Sequence, residues 1–275
     1  MPDPYPYLLG HGTENDFVLL PDHDGAVHGH LSAQEMAERV RALCDRRAGI
    51  GGDGVLRVVR RDGRWFMDYL NADGSVAEMC GNGIRVFARH LVEEGLADPA
   101  SPVEVDTRDG LKVVTVDGDL ITADLGTPTV FGDTIVGVGT TSWPARHVDM
   151  GNPHAVAFVD SLDPHGPVGP LLDPPSRDPE TFPDGVNVEF VVRRGERHVA
   201  MRVHERGSGE TRSCGTGACA VMVAAAIADG ARPTDADVAY RVDVPGGTLT
   251  VTWTADDRVL LTGPAVIVAR GTTSL

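Results

Sequence analysis

Two cysteines in this sequence stand in the same local pattern, Cys-Gly-x-Gly, and a helix-like stretch follows each copy. The first copy begins at Cys80 and the second at Cys214. The first N–H groups of a helix have no internal partners, and glycine lets a ligand approach them closely. A helix start also favours a carboxylate and lowers a cysteine pKa from about 8.5 into the range of roughly 3.5–7.5. Each copy could therefore hold a carboxylate beside a reactive thiol.

A pair of such thiols suits the transfer of a proton from one face of a carbon to the other. One cysteine removes the proton as a thiolate, and the opposite thiol returns one. A carboxylate held by the helix ends would stabilise the carbanion-like intermediate. A single cysteine at a helix start is more often merely buried, but two matched copies favour a function. Cys44 and Cys219 lie on apolar stretches of helix-like sequence, so both are predicted to be core residues.

Three helices and many short strands must position these motifs. Ser32 and Glu35 form a capping-box pattern that predicts the first helix. The second helix is predicted from about residue 82 to 94, and the third, in 218–228, is apolar on every side, so other structure should wrap around it. Strands, Cys-Gly-x-Gly and a helix ending at glycine occur in each half, which predicts two related domains. Strands are predicted at 17–20, 55–60, 65–70, 103–107, 111–117, 120–125, 154–159, 187–193, 197–204, 238–244, 248–254, 258–262 and 265–269, with a surface loop at about 161–185.

The composition excludes several classes of protein. The chain has 275 residues and a formal net charge of −16. An acidic surface repels phosphate backbones, so no nucleic acid partner is expected. No apolar run approaches the roughly 18 residues of a membrane span, so no membrane association is expected. Four cysteines are too few for a disulfide scaffold, and the N-terminal residues lack the pattern of a signal peptide, so a cytoplasmic location is expected.

The signatures of cofactors and metals are weak. Lys112 is the only lysine in the sequence, and it lies on the expected exposed face of a predicted strand, which argues against a pyridoxal phosphate enzyme. The run 49–54 fits Gly-x-Gly-x-x-Gly, but it follows a helix and precedes a strand, the reverse of a dinucleotide site. His23, His28 and His30 lack a further ligand at a recognisable spacing, so solvated histidines are favoured over a metal site.

The surroundings of both cysteines resemble a known family. Segments 71–83 and 205–220 are similar to the two cysteine signatures of diaminopimelate epimerases, and segments 15–17, 49–54, 151–155 and 185–188 agree in the family's order. The resemblance implies an epimerase that needs no cofactor and no metal. It implies a reaction that interconverts LL-2,6-diaminopimelate and meso-diaminopimelate, in the synthesis of lysine and of peptidoglycan precursors.

The resemblance also implies a fold class, α/β (α+β), with two pseudo-symmetric domains. In each domain a curved, mixed or antiparallel β-sheet would wrap around a central helix. The N-terminal domain, 1–120, would carry Cys80, and 264–275 would return to it. The C-terminal domain, 121–263, would carry Cys214. A homodimer is implied as well.

The same resemblance implies roles for individual residues. Cys80 and Cys214 would be the two acid–base residues, and His154 and Glu205 would lie near the thiols and help to set their protonation. Arg206 can grip a carboxylate with two hydrogen bonds. The implied substrate-binding positions are Asn15, Asn71, Gly81, Asn82, Asn152, Asn187, Glu205, Arg206, Gly215 and Thr216, among which Gly81 with Asn82 and Gly215 with Thr216 would hold the reacting carboxylate through their backbone.

Other interpretations stay open at this point. Proline racemases and hydroxyproline epimerases have related chemistry, but they resemble a pattern with histidine where this chain has Asn82, and they lack the run found at 205–211. The related phenazine-biosynthesis isomerases lack the cysteine pair. A catalytically inactive relative that only binds an amino acid is a further alternative, against which the paired cysteines argue. Arg206 could also be an ordinary salt-bridge partner of Glu210.

Overall fold

The computed structural model describes residues 3–275, which form three helices and eighteen strands. They group into two compact units: the first ends at Ala123 and resumes from Gly263 to Leu275, and the second is Asp124–Thr262. In chain order the elements are β1 (Tyr5–Gly12), β2 (Asn15–Pro21), α1 (Ala33–Cys44), β3 (Gly54–Arg61), β4 (Arg64–Asn71), α2 (Gly81–Glu93), β5 (Val103–Thr107), β6 (Gly110–Asp117), β7 (Leu120–Asp124), β8 (Thr129–Val138), β9 (Thr141–Asp149), β10 (Pro153–Phe158), β11 (Ser176–Arg177), β12 (Asn187–Gly195), β13 (His198–Glu205), β14 (Gly209–Thr211), α3 (Gly215–Ala228), β15 (Val238–Val244), β16 (Gly247–Trp253), β17 (Val259–Pro264) and β18 (Val266–Thr273).

The first unit is one mixed sheet with two helical crossovers. Its strand order is β18–β1–β2–β3–β4–β5–β6–β7, and only the pairs β2/β3 and β4/β5 are parallel. Parallel neighbours need a long connection, which α1 supplies for the first pair and α2 for the second. The last segment of the chain is anchored to α2 as well, because Arg85 and Arg89 donate hydrogen bonds to the carbonyl oxygens of Pro264 and Ala265, at 3.0 and 3.1 Å.

The second unit has the same topology. Its strand order is β8–β9–β10–β12–β13–β15–β16–β17, with β10/β12 and β13/β15 parallel, and α3 lies in the second parallel crossover, as α2 does in the first unit. The short strands β11 and β14 pair with β8 and β13. Each of α2 and α3 contacts strands along its own sheet, from β1 to β6 and from β9 to β16. The predicted sheet-dominated fold class, with a repeated arrangement around a central helix, is confirmed.

The starts of α1 and α2 agree with the prediction to within one residue, but α3 begins at Gly215, three residues before the predicted 218. Ser32 is the N-cap of α1, and it exchanges hydrogen bonds with Glu35 as a complete capping box. The apolar helix α3 is buried along most of its length, from Gly215 to Ala226, which confirms that other structure surrounds it. None of the helices formed by residues 3–275 is both long and apolar enough to cross a membrane.

Several strands were not predicted from the sequence, and the side chain of Lys112 was predicted on the wrong face of its strand. No strand was predicted for β1, β8 or β9. Lys112 was predicted on the exposed face of its strand, and this was wrong: the residue is 8% exposed, and its Nζ lies 2.6 Å from Asp109 Oδ2. Alternate residues of a strand lie on the same face, so Lys112 lies on the buried face with Val114, whereas Val113 lies on the exposed face.

Candidate active site

Cys80 caps the central helix of the first unit. It is the N-cap residue of α2, with an extended backbone, and its Sγ accepts a hydrogen bond from the Gly83 N–H at 3.4 Å. A Cβ on Gly83 would lie 3.3 Å from both Cys80 Cβ and Leu56 Cδ2, so the glycine lets the thiol fold back over the first turn. Ile84 donates the first ordinary helical bond, to the Cys80 carbonyl. The amides of Gly81 and Asn82 therefore stand outside the hydrogen-bond ladder of the helix.

A chain of amide groups fixes the surroundings of the Cys80 thiol. Asn15 Oδ1 lies 3.8 Å from Cys80 Sγ and accepts a hydrogen bond from Asn82 Nδ2 at 3.1 Å. The other end of the Asn15 side chain donates to Asp53 Oδ2 at 2.7 Å, and Arg85 donates to Asn82 Oδ1. Each amide is thus oriented by a charged partner, and an amide oxygen faces the thiol. Asp53, which the sequence analysis passed over, holds this chain in place.

Asp53 itself is a perturbed carboxyl group. Burial raises its pKa above the ordinary value, and the neighbouring Asp16 raises it further, while hydrogen bonds from Asn15 and the charge of Arg46 act the other way. Asn71, in contrast, sits at the end of β4 and bonds within its own turn, from Nδ2 to Ser75 Oγ at 3.0 Å. The structure therefore brings Asn15 and Asn82 to Cys80, and it places Asn71 in a turn.

Cys214 caps the central helix of the second unit in the same way. It is the N-cap of α3, and its Sγ accepts from the Gly217 N–H at 3.4 Å and lies 3.6 Å from Thr216 Oγ1. The expectation that the helix start lowers the cysteine pKa is wrong for Cys214: burial raises the pKa of this thiol well above its usual value, and the charges of Glu205 and Glu189 raise it further. Ala218 donates the first helical bond, to the Cys214 carbonyl, so the amides of Gly215 and Thr216 again stand outside the ladder.

Glu205 lies beside the Cys214 thiol at the end of β13. Thr211 Oγ1 donates a hydrogen bond to its Oε1. Burial raises the pKa of Glu205, and the hydrogen bonds with Thr211 and Cys214 and the charge of His154 act in the opposite direction. Thr211 belongs to the short strand β14, which pairs with β13, so the local hairpin supplies the group that orients the carboxyl.

His154 is wholly buried between two polar side chains. Its Nδ1 lies 2.7 Å from Glu189 Oε1, and its Nε2 lies 3.0 Å from Asn152 Oδ1. His154 is the register partner of Asn187 in the parallel pair β10/β12. The family motifs in the sequence include His154, Asn152 and Asn187 but not Glu189. The one sign of Glu189 in the sequence is that it is a single acidic residue within the apolar run 188–192.

Asn187 and Arg206 form the outer part of this half-site. Asn187 Oδ1 accepts a hydrogen bond from the Arg206 backbone N–H at 2.9 Å, and its Nδ2 donates to the Pro153 carbonyl at 3.2 Å. The Arg206 side chain is exposed, with Nη1 3.5 Å from the Asp184 carbonyl oxygen. Glu210 is held by Arg202 through two hydrogen bonds, at 2.6 and 2.9 Å. Arg202, not Arg206, is therefore the salt-bridge partner of Glu210.

The remaining candidates lie elsewhere in the fold. Cys44 and Cys219 are buried, as predicted, and burial raises the pKa of Cys44 to about 12. The run 49–54 connects α1 to β3, in the order that the sequence analysis expected. The prediction of solvated histidines is wrong for His28, which is 2% exposed, and His23 and His28 pack edge-to-face against Trp65 and Tyr5. Within residues 3–275, no group of three or more His, Cys, Asp or Glu side chains is arranged to hold a metal ion.

Comparison with known proteins adds a family assignment. The family model described as diaminopimelate epimerase matches residues 7–131 and 146–268. A diaminopimelate epimerase from Streptomyces coelicolor is 56% identical, over 96% of this chain and 94% of the relative. One from Mycolicibacterium smegmatis is 44% identical, over 96% and 95%, and one from Corynebacterium glutamicum is 42% identical, over 97% of each.

Solved structures share the fold at much lower sequence identity. A phenazine biosynthesis protein of the PhzF family from Bacillus anthracis has a TM-score of 0.74 at 16% identity, over 99% of this chain and 100% of that one. A hydroxyproline epimerase from Agrobacterium vitis has a TM-score of 0.66 at 15% identity, over 99% and 93%. These likenesses concern the fold alone.

Proposed function

The chain belongs to the diaminopimelate epimerase family, and we propose on that premise that it interconverts LL- and meso-diaminopimelate by proton transfer through Cys80 and Cys214. The reaction serves the synthesis of lysine and of peptidoglycan precursors. One thiolate takes the proton from the α-carbon, so that a C–H bond breaks and an S–H bond forms. The other thiol gives its proton to the opposite face of the same carbon, so that an S–H bond breaks and a C–H bond forms.

The observation that carries this proposal is the matched position of the two cysteines. Each is the N-cap of the helix in the second parallel crossover of its unit, and each Sγ accepts the N–H of the third helical residue. In each helix two backbone amides stand outside the ladder, at 81–82 and at 215–216. In this proposal the amides donate hydrogen bonds to the reacting carboxylate, and the positive helix end stabilises the negative charge that develops on it.

The two thiols differ in their surroundings, and this assigns a starting state. Burial and two nearby carboxyl groups raise the pKa of Cys214, which favours its thiol form. The proposal therefore gives Cys214 the role of proton donor and Cys80 that of the base. Glu205 and His154, which lie in the same half-site as Cys214, set its protonation. The remaining polar groups, Asn15, Asn71, Asn152, Asn187 and Arg206, hold the amino and carboxylate groups of the substrate.

Two further features of the function are proposed. A homodimer is supported by the edge strand β18, which pairs with β1 on one side and leaves Val266 and Val268 44% and 52% exposed. Light scattering on the purified protein should give twice the mass of 29.1 kDa, and the mass of one chain would contradict the dimer. A cytoplasmic location is supported by the chemistry, because a reducing compartment keeps both catalytic thiols free.

Incubation of the protein with LL-diaminopimelate in deuterated water tests the function. We expect one deuterium at the α-carbon of the meso product. Cys80→Ala and Cys214→Ala should each abolish the formation of product, since each removes one of the two proton carriers. Cys44→Ala is the matched control, because Cys44 is a buried thiol whose pKa is raised to about 12, and it should retain full activity.

The same experiment separates the alternatives. A proline racemase or hydroxyproline epimerase would exchange the α-proton of proline or hydroxyproline and leave diaminopimelate unchanged. A relative that only binds an amino acid would incorporate no deuterium into any of them. Full epimerisation by Cys80→Ala would contradict the two-thiol mechanism even if the substrate is right.

A further inference from the structure

Glu189 is a wholly buried carboxyl group that the proposed mechanism does not use. It lies on β12 with 0% of its surface exposed, inside an apolar run. Residues two apart on a strand share a face, so Glu189 faces the same way as Asn187, the register partner of His154. Burying a carboxylate is costly unless it is paired, so the position of Glu189 calls for a partner.

The partner of Glu189 is the imidazole of His154. Glu189 Oε1 lies 2.7 Å from His154 Nδ1, and both side chains are inaccessible to solvent. The second oxygen, Oε2, is buried and has no hydrogen-bond partner among the residues that the structure describes. Among the described residues, Glu189 is therefore held by a single hydrogen bond, from His154 Nδ1.

Glu189 also borders the first turn of the helix that carries Cys214. A Cβ added to Gly217 would lie 2.7 Å from Glu189 Oε1 and 3.2 Å from Cys214 Sγ. The carboxylate and the thiol thus approach the same side of one backbone position. A side chain at residue 217 would displace one of them, which gives a specific reason for the second glycine of the Cys-Gly-Thr-Gly sequence.

These contacts determine which atoms of His154 carry protons. A carboxylate only accepts hydrogen bonds, so the 2.7 Å contact requires a proton on Nδ1. The group that faces Nε2 at 3.0 Å is Asn152 Oδ1, which also accepts. Nδ1 is therefore the ring nitrogen through which His154 donates to Glu189.

We infer that Glu189 is a positioning residue for proton transfer at Cys214, because it fixes the His154 ring with Nδ1 protonated in the half-site of the thiol. The inference rests on the proposed function. It gives the two acidic groups of the half-site separate partners: Glu189 holds the His154 ring, and Thr211 donates a hydrogen bond to Glu205. Burial raises the pKa of Cys214, and the charges of both carboxyl groups raise it further.

A long-range ¹H–¹⁵N spectrum of the histidine side chains tests the geometry without any assay. We expect the His154 resonances, identified by their loss in His154→Asn, to show a proton on Nδ1. We expect that proton to lose its protection from exchange in Glu189→Gln, which keeps the volume and removes the charge. The matched control is Asp243→Asn, since Asp243 Oδ2 contacts His198 Nε2 at the same 2.7 Å in the same unit. An unprotonated Nδ1 in the unaltered protein would overturn the inference, whether or not the variant folds.

Kinetics of the epimerisation test the role. Glu189→Gln should lower kcat by about 10- to 100-fold, an effect of the size found when the outer partner of a metal-ligating histidine is lost. KM should stay nearly constant because Glu189 does not contact substrate, and Asp243→Asn should retain the parent kcat.

A double-mutant cycle separates positioning from general support of the fold. If Glu189 acts through His154, Glu189→Gln should cause no further loss of kcat in a His154→Asn background. Equal fold-losses in both backgrounds, or an unchanged kcat in Glu189→Gln, would overturn the inference. Absence of epimerase activity in the unaltered protein would instead refute the proposed function, and the spectrum of His154 would still report on the geometry.

Discussion

At Arg206 the main chain and the side chain serve different purposes. The backbone N–H is bonded to Asn187 Oδ1, which ties residue 206 to β12, while the guanidinium is exposed at the rim of the half-site. Glu210 is already occupied by Arg202. The Arg206 guanidinium is therefore not engaged by Glu210, and we propose that it binds the carboxylate at the non-reacting end of diaminopimelate.

We predict that Arg206→Lys lowers kcat/KM for diaminopimelate by about a hundredfold or more, because an ammonium cannot reproduce the two parallel hydrogen bonds. Lysine, which lacks the distal carboxylate, should not be racemised by the parent enzyme. Steady-state kinetics with both amino acids measure these effects, with Arg241→Lys, an exposed arginine on β15, as the control. Comparable turnover of lysine and diaminopimelate would remove Arg206 from the recognition of the distal carboxylate.

Single residues also mark what could be read from the sequence. Cys80 and Cys214 were recognisable because their glycines stand at fixed spacing. Glu189 was not, since its partner His154 is remote in sequence, and only the parallel pairing of β10 with β12 brings them together. Lys112 was placed on the wrong face because Val113 and Val114 are equally apolar, and only the packed sheet decides which of them is buried.

At the scale of elements, the two capped helices differ in the space around their third residue. A Cβ at Gly217 would lie 2.7 Å from the buried Glu189 carboxylate, whereas at Gly83 the nearest atoms are 3.3 Å away. Gly217→Ala must therefore displace either Glu189 or the thiol, whereas Gly83→Ala needs only a small adjustment of Leu56 and Cys80. The same change in the two helices should thus have unequal effects.

We predict that Gly217→Ala lowers kcat at least about tenfold more than Gly83→Ala does, because a bonded carboxylate in a close-packed interior cannot move cheaply. The measurements are kcat and the unfolding midpoint in urea for both variants. Equal losses of kcat would mean that Gly217 is not crowded by Glu189 in solution.

An element could be predicted where its residues repeat in a regular pattern or carry a capping signal. The capping box of Ser32 and Glu35 predicts α1, and apolar residues on every side predict that α3 is a buried helix. The strands β8 and β9 are largely exposed, so they lack the alternation of apolar and polar residues on which a prediction depends. Which strands become neighbours depends on long-range pairing, and no local pattern in the sequence records it.

At the scale of the molecule, two buried histidines make the stability sensitive to acid. Burial lowers the pKa of His90 to about 4 and that of His28 to about 4. Both ring nitrogens of His90 are buried without a hydrogen-bond partner among the described residues. The unfolded chain binds a proton at each histidine below about pH 6.5, and the folded chain does so only near pH 4. The stability that these groups contribute is present above pH 6.5 and is lost as the pH falls towards 4.

We predict that His90→Leu flattens the loss of unfolding free energy between pH 6.5 and pH 4. One such histidine makes the free energy of unfolding fall by about 1.4 kcal/mol for each pH unit in this window. The slope of unfolding free energy against pH should therefore be smaller by about that amount in the variant. Urea titrations at several pH values measure it, with the exposed His30→Leu as the control. An unchanged slope in His90→Leu would show that His90 is protonated in the folded protein.

The return of β18 to the first unit has a consequence for the order in which the protein is completed during translation. The strands of the second unit, β8 to β17, are consecutive in the chain, so that sheet can close as soon as its residues leave the ribosome. The first unit is made earlier, yet its edge strand and the carbonyl groups that accept hydrogen bonds from Arg85 and Arg89 are synthesised only after the whole second unit. Maturation therefore runs against the usual N-terminal-first order. The helix bearing Cys80 gains these two hydrogen bonds only once Pro264 and Ala265 have been synthesised, so a polypeptide released before them would carry a complete Cys214 half-site and an incomplete Cys80 one.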